Sequence, residues 1–200
     1  MLELRNISFG YEKAAPLYES VNLSVEQGQR VALQAPSGFG KTTLCRIAAG
    51  YLAPWSGEVL VDGEPLPSKG ACPVQLILQH PETAVDPRMR MAAILEEAGD
   101  IEEDLLALFG IRDEWLSRFP HELSGGELQR FCIVRALMTN PRYLIADEIS
   151  TMLDPLTQLQ IWQALLDVVA AQNMGLMMVS HSARLTDFVA TRVVNLTAGR

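Results

Sequence analysis

Apolar and polar residues alternate over two early segments, 2–8 and 21–25, the period of strands with one face buried and the other exposed. Residues 30–35 predict a third strand, which runs into the turn-rich stretch Pro36-Ser37-Gly38-Phe39-Gly40. Helical spacing takes over at 41–51, where Leu44, Ile47 and Ala48 fall on one face. A strand at 58–61 closes at Asp62-Gly63, a dipeptide suited to a tight hairpin turn. The compact apolar run 74–78 predicts a buried strand. From residue 81 to 120 the strand signal vanishes, and helical segments such as 91–97 and 102–109 replace it. An amphipathic helix is predicted over 127–138, a short apolar strand over 143–146 and a long helix over 155–171. Pro155 stands at the first position of that helix, where a missing N–H has no consequence. Strands at 177–180 and 192–196 complete the pattern.

Strands alternating with helices imply parallel βαβ units and an α/β fold. No helix separates the first strands, so part of the sheet is expected to be antiparallel. The stretch from about 81 to 140 reads as a helical subdomain inserted in the α/β core, which makes residues 1–200 one domain. A chain of 200 residues is long enough for one sizeable core.

Charge removes one class of partner. The net charge is −8 and no Lys/Arg cluster stands out, which argues against a nucleic-acid binder. No apolar run approaches the ~18 residues of a membrane span, and the N-terminus lacks the pattern of a signal peptide. Any membrane association is therefore expected to be indirect. Cys45, Cys72 and Cys132 fit no metal or redox spacing and are expected to be reduced and mostly buried, in a reducing compartment.

The run from Ala35 to Thr43 has the form of a phosphate-binding loop, with Ala35 in place of the leading glycine. Backbone N–H groups around Gly38 and Gly40 must turn inward towards phosphate oxygens, and side chains there would obstruct the approach. The loop opens a helix, whose N-terminal N–H groups and dipole favour an anion. Ser37, Gly38, Gly40, Lys41, Thr42 and Thr43 are the candidate nucleotide-binding residues. Lys41 can reach the β- and γ-phosphates, and the Thr42 hydroxyl can ligate Mg²⁺. Farther on, the apolar run Leu144-Ile145-Ala146 ends in Asp147-Glu148. An apolar strand followed by two carboxylates is common by itself. Downstream of a phosphate loop, Asp147 gains a role in holding the metal and Glu148 in polarising the attacking water.

The run Leu123-Ser124-Gly125-Gly126-Glu127-Leu128-Gln129-Arg130 resembles the signature motif of the ATP-binding-cassette (ABC) family. Other motifs of that family then fall in order along the chain, from Met1 to Arg200. Tyr11 stands where the family's aromatic residue stacks on adenine, Gln79 at the Q-loop, residues 151–154 at the D-loop and His181 at the switch histidine. The resemblance implies a P-loop NTPase core of ABC type that binds and hydrolyses Mg-ATP. It also implies a head-to-tail dimer, in which each ATP lies between one phosphate loop and the partner cassette's Ser124, Gly125 and Gly126. Glu148, His181 and Gln79 would be the catalytic residues, with Gln79 also touching the metal beside Thr42 and Asp147. Three positions depart from the commonest pattern: Glu127 stands for Gln, Ile149 for Pro and Thr151-Met152 for Ser-Ala. None removes a group that hydrolysis needs.

Residues 81–88, Pro-Glu-Thr-Ala-Val-Asp-Pro-Arg, resemble the segment that follows the Q-loop in ATPases of peptide and nickel importers. That likeness implies transmembrane permease partners, a second ABC ATPase (a different chain, or this one) and a place on the cytoplasmic face of the membrane. It also implies that 79–91 forms part of the groove receiving the permease's coupling helix. The chain ends at Arg200, just after its last strand, so no regulatory tail is expected. Two rival readings stand beside this one: a soluble ABC ATPase outside transport, and a weakly hydrolytic partner in an asymmetric cassette dimer.

Overall fold

The computed structural model describes residues 1–12 and 15–196; residues 197–200 of the expected cassette lie outside the described residues. Strands β1 (Leu2–Phe9), β2 (Tyr18–Val25), β4 (Ser56–Val61) and β5 (Glu64–Pro65) are antiparallel neighbours in the order β2-β1-β4-β5. The β4–β5 hairpin turns at Asp62 (φ 53°) and Gly63 (φ 84°). Two successive positive φ angles define the turn that matches strand twist, as the Asp-Gly pair predicts.

Strands β3 (Arg30–Gln34), β6 (Val74–Ile77), β7 (Tyr143–Asp147), β8 (Gly175–Val179) and β9 (Arg192–Asn195) form a second sheet. Its order is β6-β7-β8-β3-β9 and every pairing is parallel. The expectation of one sheet with an antiparallel part is corrected here: the antiparallel strands are a separate sheet. The cause is legible in β3, whose Val31, Ala32 and Leu33 are all buried, so both its faces must be covered. Helices on the faces of a parallel sheet supply that cover, whereas β1 alternates and keeps one side exposed.

Seven α-helices lie among the described residues: α1 (Lys41–Ala48), α2 (Met91–Glu96), α3 (Glu103–Leu108), α4 (Asp113–Leu116), α5 (Gly125–Met138), α6 (Pro155–Ala171) and α7 (Ala183–Val189). Two cores flank the parallel sheet. On one face Leu144, Ala146, Leu176 and Met178 pack against α5, α6 and α7. On the other, Tyr143, Ile145, Met177 and Val179 pack against α1 and the antiparallel sheet. The two-residue alternation of β7 and β8 divides their side chains between these cores, which is why β8 is apolar throughout and β7 is apolar up to Asp147 at its end. Between β6 and β7 the described elements are helices only, as the lost strand signal predicts. The short α4 and the helix α7 had no periodic signal of their own and were not anticipated.

Candidate nucleotide-binding and hydrolysis site

Because the second sheet is parallel, the carboxyl ends of its strands lie along one edge. Four connections leave from that edge: the phosphate loop after β3, Gln79 after β6, Asp147-Glu148 at the end of β7, and Ser180-His181 after β8. Such an edge is where ligands bind in open α/β sheets.

The loop closes on Gly40, the N-cap of α1, at φ 89°; Gly38 sits at φ 78°. Both angles are strained for any residue with a Cβ. Gly40 supplies no side-chain cap, so the first N–H groups of α1 are left for a ligand. Lys41 is largely buried, and its Nζ donates to the carbonyls of Ala35 (2.9 Å) and Pro36 (3.3 Å). Ala35, at the position of the usual leading glycine, therefore takes part through its backbone oxygen, and its methyl group is compatible with that. A cleft of about 420 Å³ opens beside the loop, lined by Ala35, Pro36, Lys41, Ser180 and His181 among others. Tyr11 is well exposed, stands edge-on to Phe9, and shares a hydrogen bond of 3.0 Å with the Thr43 hydroxyl.

Gln79, Glu148 and His181, predicted from separate motifs, meet in one cluster. Gln79 Nε2 donates to Glu148 Oε2 at 3.2 Å, and His181 Nε2 lies 2.9 Å from Glu148 Oε1. Glu148 has φ 52°, and its N–H donates to the Val179 carbonyl. Its own carbonyl accepts from the Thr151 hydroxyl at 3.1 Å. A left-handed glutamate costs on the order of 1–3 kcal/mol, a strain that tends to persist where the side chain's aim matters.

Asp147 is almost fully buried, and its Oδ1 has no hydrogen-bond partner among the described residues. Burial pushes its carboxyl above the usual carboxylate range; the Thr42 hydroxyl bonded to it pulls down, and Glu148 beside it pushes up again. An orphaned buried carboxylate oxygen next to a hydroxyl is a pair of hard donors facing one space. Mg²⁺ is commonly held that way, by one or two protein oxygens with substrate phosphates completing the shell. No cluster of three His, Cys, Asp or Glu side chains is placed to hold a metal by itself among the described residues.

Ser124 caps α5 in a reciprocal box: Glu127 N–H donates to Ser124 Oγ (3.3 Å) and Ser124 N–H donates to Glu127 Oε2 (2.7 Å). That bond to the Ser124 N–H is the main cause holding the Glu127 carboxyl below its ordinary pKa. The helix begins at Gly125, two residues earlier than its apolar pattern, because this box starts it. Gly125 and Gly126 lie against Met152 and Leu153 of the 151–154 segment. That segment is fixed at both ends: Asp154 caps α6 through Leu156 and Thr157 N–H, and the buried Ser150 Oγ accepts from Gln158 Nε2 (2.6 Å) and Trp162 Nε1 (3.0 Å). Ser150 was not singled out in the sequence; its only signal is a small polar residue beside a buried strand end. Gln129 Nε2, on α5, reaches the Leu78 carbonyl at 3.4 Å, which ties the signature helix to the residue before Gln79.

With this geometry in place, the sequence matches the model of the ABC transporter family over residues 18–151. This chain belongs to the ABC transporter family. It is 30% identical to the nickel import system ATP-binding protein of Staphylococcus aureus (strain bovine RF122 / ET3-1), over all of this chain and 88% of that protein. Its fold superposes on a dimeric bacterial ABC transporter cassette with a TM-score of 0.85 at 24% identity, covering 98% of this chain and 94% of that one. An ATP-binding subunit of an ABC transporter superposes with a TM-score of 0.84 at 25% identity, covering 98% and 85%. The chain is an ATP-binding subunit of an ABC transporter and an ATP hydrolase. No helix among the described residues is long and apolar enough to cross a membrane.

Proposed function

We propose that this subunit powers solute uptake, with nickel, a metal chelate or a peptide as cargo, from the cytoplasmic face of the membrane beneath permease partners. The observation that supports its hydrolytic role best is Glu148 held between Gln79 and His181 at the edge that carries the phosphate loop. Residues 1–200 act as one cassette, with 81–140 as its helical subdomain. ATP lies on Tyr11 and the 37–43 loop. Lys41 exchanges its two loop carbonyls for phosphate oxygens, Glu148 takes the proton of the attacking water, and His181 and Gln79 orient that carboxylate and the γ-phosphate. Thr42, Asp147 and Gln79 would hold Mg²⁺, whose bound charge neutralises the phosphates. Gly125 and Gly126 lie against the 151–154 segment, and neither they nor Ser124 line the cleft beside Lys41, which suits a role of all three towards the partner cassette's ATP.

The Staphylococcus aureus relative is a nickel import system protein, which favours import, and residues 81–88 carry the same likeness in this sequence. Purification of the tagged chain from mild-detergent extracts tests the reading. Two permeases and a second ATPase are the expected companions; recovery with soluble ribosomal or repair proteins would overturn it.

The raised pKa of Asp147 gives a pH prediction. A proton and Mg²⁺ compete for the same oxygen, and a carboxyl pushed upward by burial starts to protonate at higher pH than an ordinary one. Mg²⁺-dependent ATP affinity therefore falls as the pH is lowered from neutral, before ordinary carboxylates titrate. Titration of the Asp147→Asn variant checks this: its affinity is weaker at neutral pH and no longer falls over the same range.

A further inference from the structure

Tyr18 opens β2, opposite Phe9 of β1, yet its side chain leaves the antiparallel sheet and reaches the phosphate loop. Its ring is buried, and its hydroxyl donates to the Gly40 carbonyl, the N-cap of α1. The same carbonyl accepts from Leu44 N–H at 2.9 Å. A Cβ on Gly40 would strike the Tyr18 hydroxyl and lie 2.5 Å from Leu17 Cδ2. Leu17 and Tyr18 therefore form the floor on which the loop's last turn rests. Burial raises the phenol's pKa, so the group stays a donor.

A trans peptide points its C=O and N–H in opposite directions. Fixing the Gly40 carbonyl back along α1 fixes the Lys41 N–H outward, into the concave side of the loop. That N–H is the first of the uncapped donors of α1. We infer that Tyr18 is a positioning residue for nucleotide binding, orienting the Gly40–Lys41 peptide so that the Lys41 N–H meets the phosphate beyond the α-phosphate. Tyr11 pins the same helical turn from the other end, through Thr43, so two tyrosines of one sheet region hold the loop from the base side and from beneath. The inference rests on the phosphate-loop reading of residues 35–43 and adds a residue outside that motif.

The test is calorimetric titration of the full chain and its Tyr18→Phe variant with ADP and with AMP, alongside melting without nucleotide. ADP affinity is expected to fall about five- to tenfold, with AMP affinity within twofold of the parent, in line with one lost hydrogen bond at a polar site. A lower melting temperature with both affinities unchanged, or reduced equally, would show a tyrosine that only packs and would overturn the inference. Should the variant not fold, the parent chain supplies the answer by NMR. The Tyr18 hydroxyl proton should exchange slowly and shift when ADP binds but not AMP, and equal behaviour with both ligands overturns the proposal. Lys41→Ala separates the two ideas. Lost ADP binding there, with an unchanged ratio in Tyr18→Phe, sinks only the role of Tyr18; retained ADP binding removes the loop reading beneath both.

Discussion

Replacing Glu148 by glutamine lowers the steady-state ATPase rate of the assembled transporter by about 10²–10⁴-fold while ATP still binds, the range expected for loss of a general base. In barrier terms this is roughly 3–5 kcal/mol. The substitution keeps the side chain's length, and one carboxamide oxygen remains to accept from either Gln79 or His181, which both address the carboxylate now. Its backbone stays anchored by the bonds to Val179 and Thr151, so the left-handed turn at Glu148 survives. Binding and folding are therefore spared, and the deficit lies in the chemical step. A rate equal to the parent's would mean that the other cassette hydrolyses the ATP and that this chain is the silent member of an asymmetric pair.

The Gln79–Glu148–His181 cluster also shows why separate loops act together. Gln79, Glu148 and His181 follow β6, β7 and β8, three adjacent strands of one parallel sheet. Gln129 links the start of that run to α5, whose N-terminus carries Ser124. A shift of α5 thus has a hydrogen-bonded route to the residue next to Gln79, and through Gln79 to the Glu148 carboxylate.

Much of this was legible in the sequence because it is local. The apolar runs of β7 and β8, the Asp-Gly turn, and Pro155 after the capping Asp154 each carry their own signal. The roles of Gly38 and Gly40 follow from the loop's form, and the structure places both at positive φ. What stayed hidden was non-local. Tyr18 fell outside the predicted strand 21–25 because the register shifts between Ile7 and Phe9, with Ser20 at φ 59°. A bulge of that kind breaks the two-residue alternation, so the strand's first residues drop out of its pattern. The left-handed Glu148 and its two partners could not be read either, since nothing local to an Asp-Glu pair announces the angle or the loops that meet there. Glu127 was read as a departure from the signature; its carboxylate completes the cap on Ser124, a job that glutamine at this position performs as well.

Replacing Lys41 by alanine reduces ATP affinity by about 100-fold or more, which equilibrium titration of the purified chain measures. In the free protein the ammonium is held by two neutral carbonyls, Ala35 and Pro36, at 2.9 and 3.3 Å. Phosphate oxygens carry full negative charge, and each hydrogen bond to such a group is worth about 1.5–3 kcal/mol. Two of them amount to about 3–6 kcal/mol, and the ammonium's attraction to the full phosphate charge offsets the carbonyl bonds given up, so a loss of roughly 2.7 kcal/mol, or 100-fold, is expected. The loss reaches Asp147 as well, because the Lys41 charge is one of the influences lowering that carboxyl's pKa. Without it the Asp147 carboxylate protonates more readily, so the defect is expected to deepen as the pH falls. Arginine at position 41 restores the charge but brings a planar fork in place of a compact ammonium, into a side-chain site that is largely buried. It should recover little of the affinity. Unchanged ATP affinity in the alanine variant would show that residues 35–43 do not hold the phosphates, however well their backbone is shaped for it.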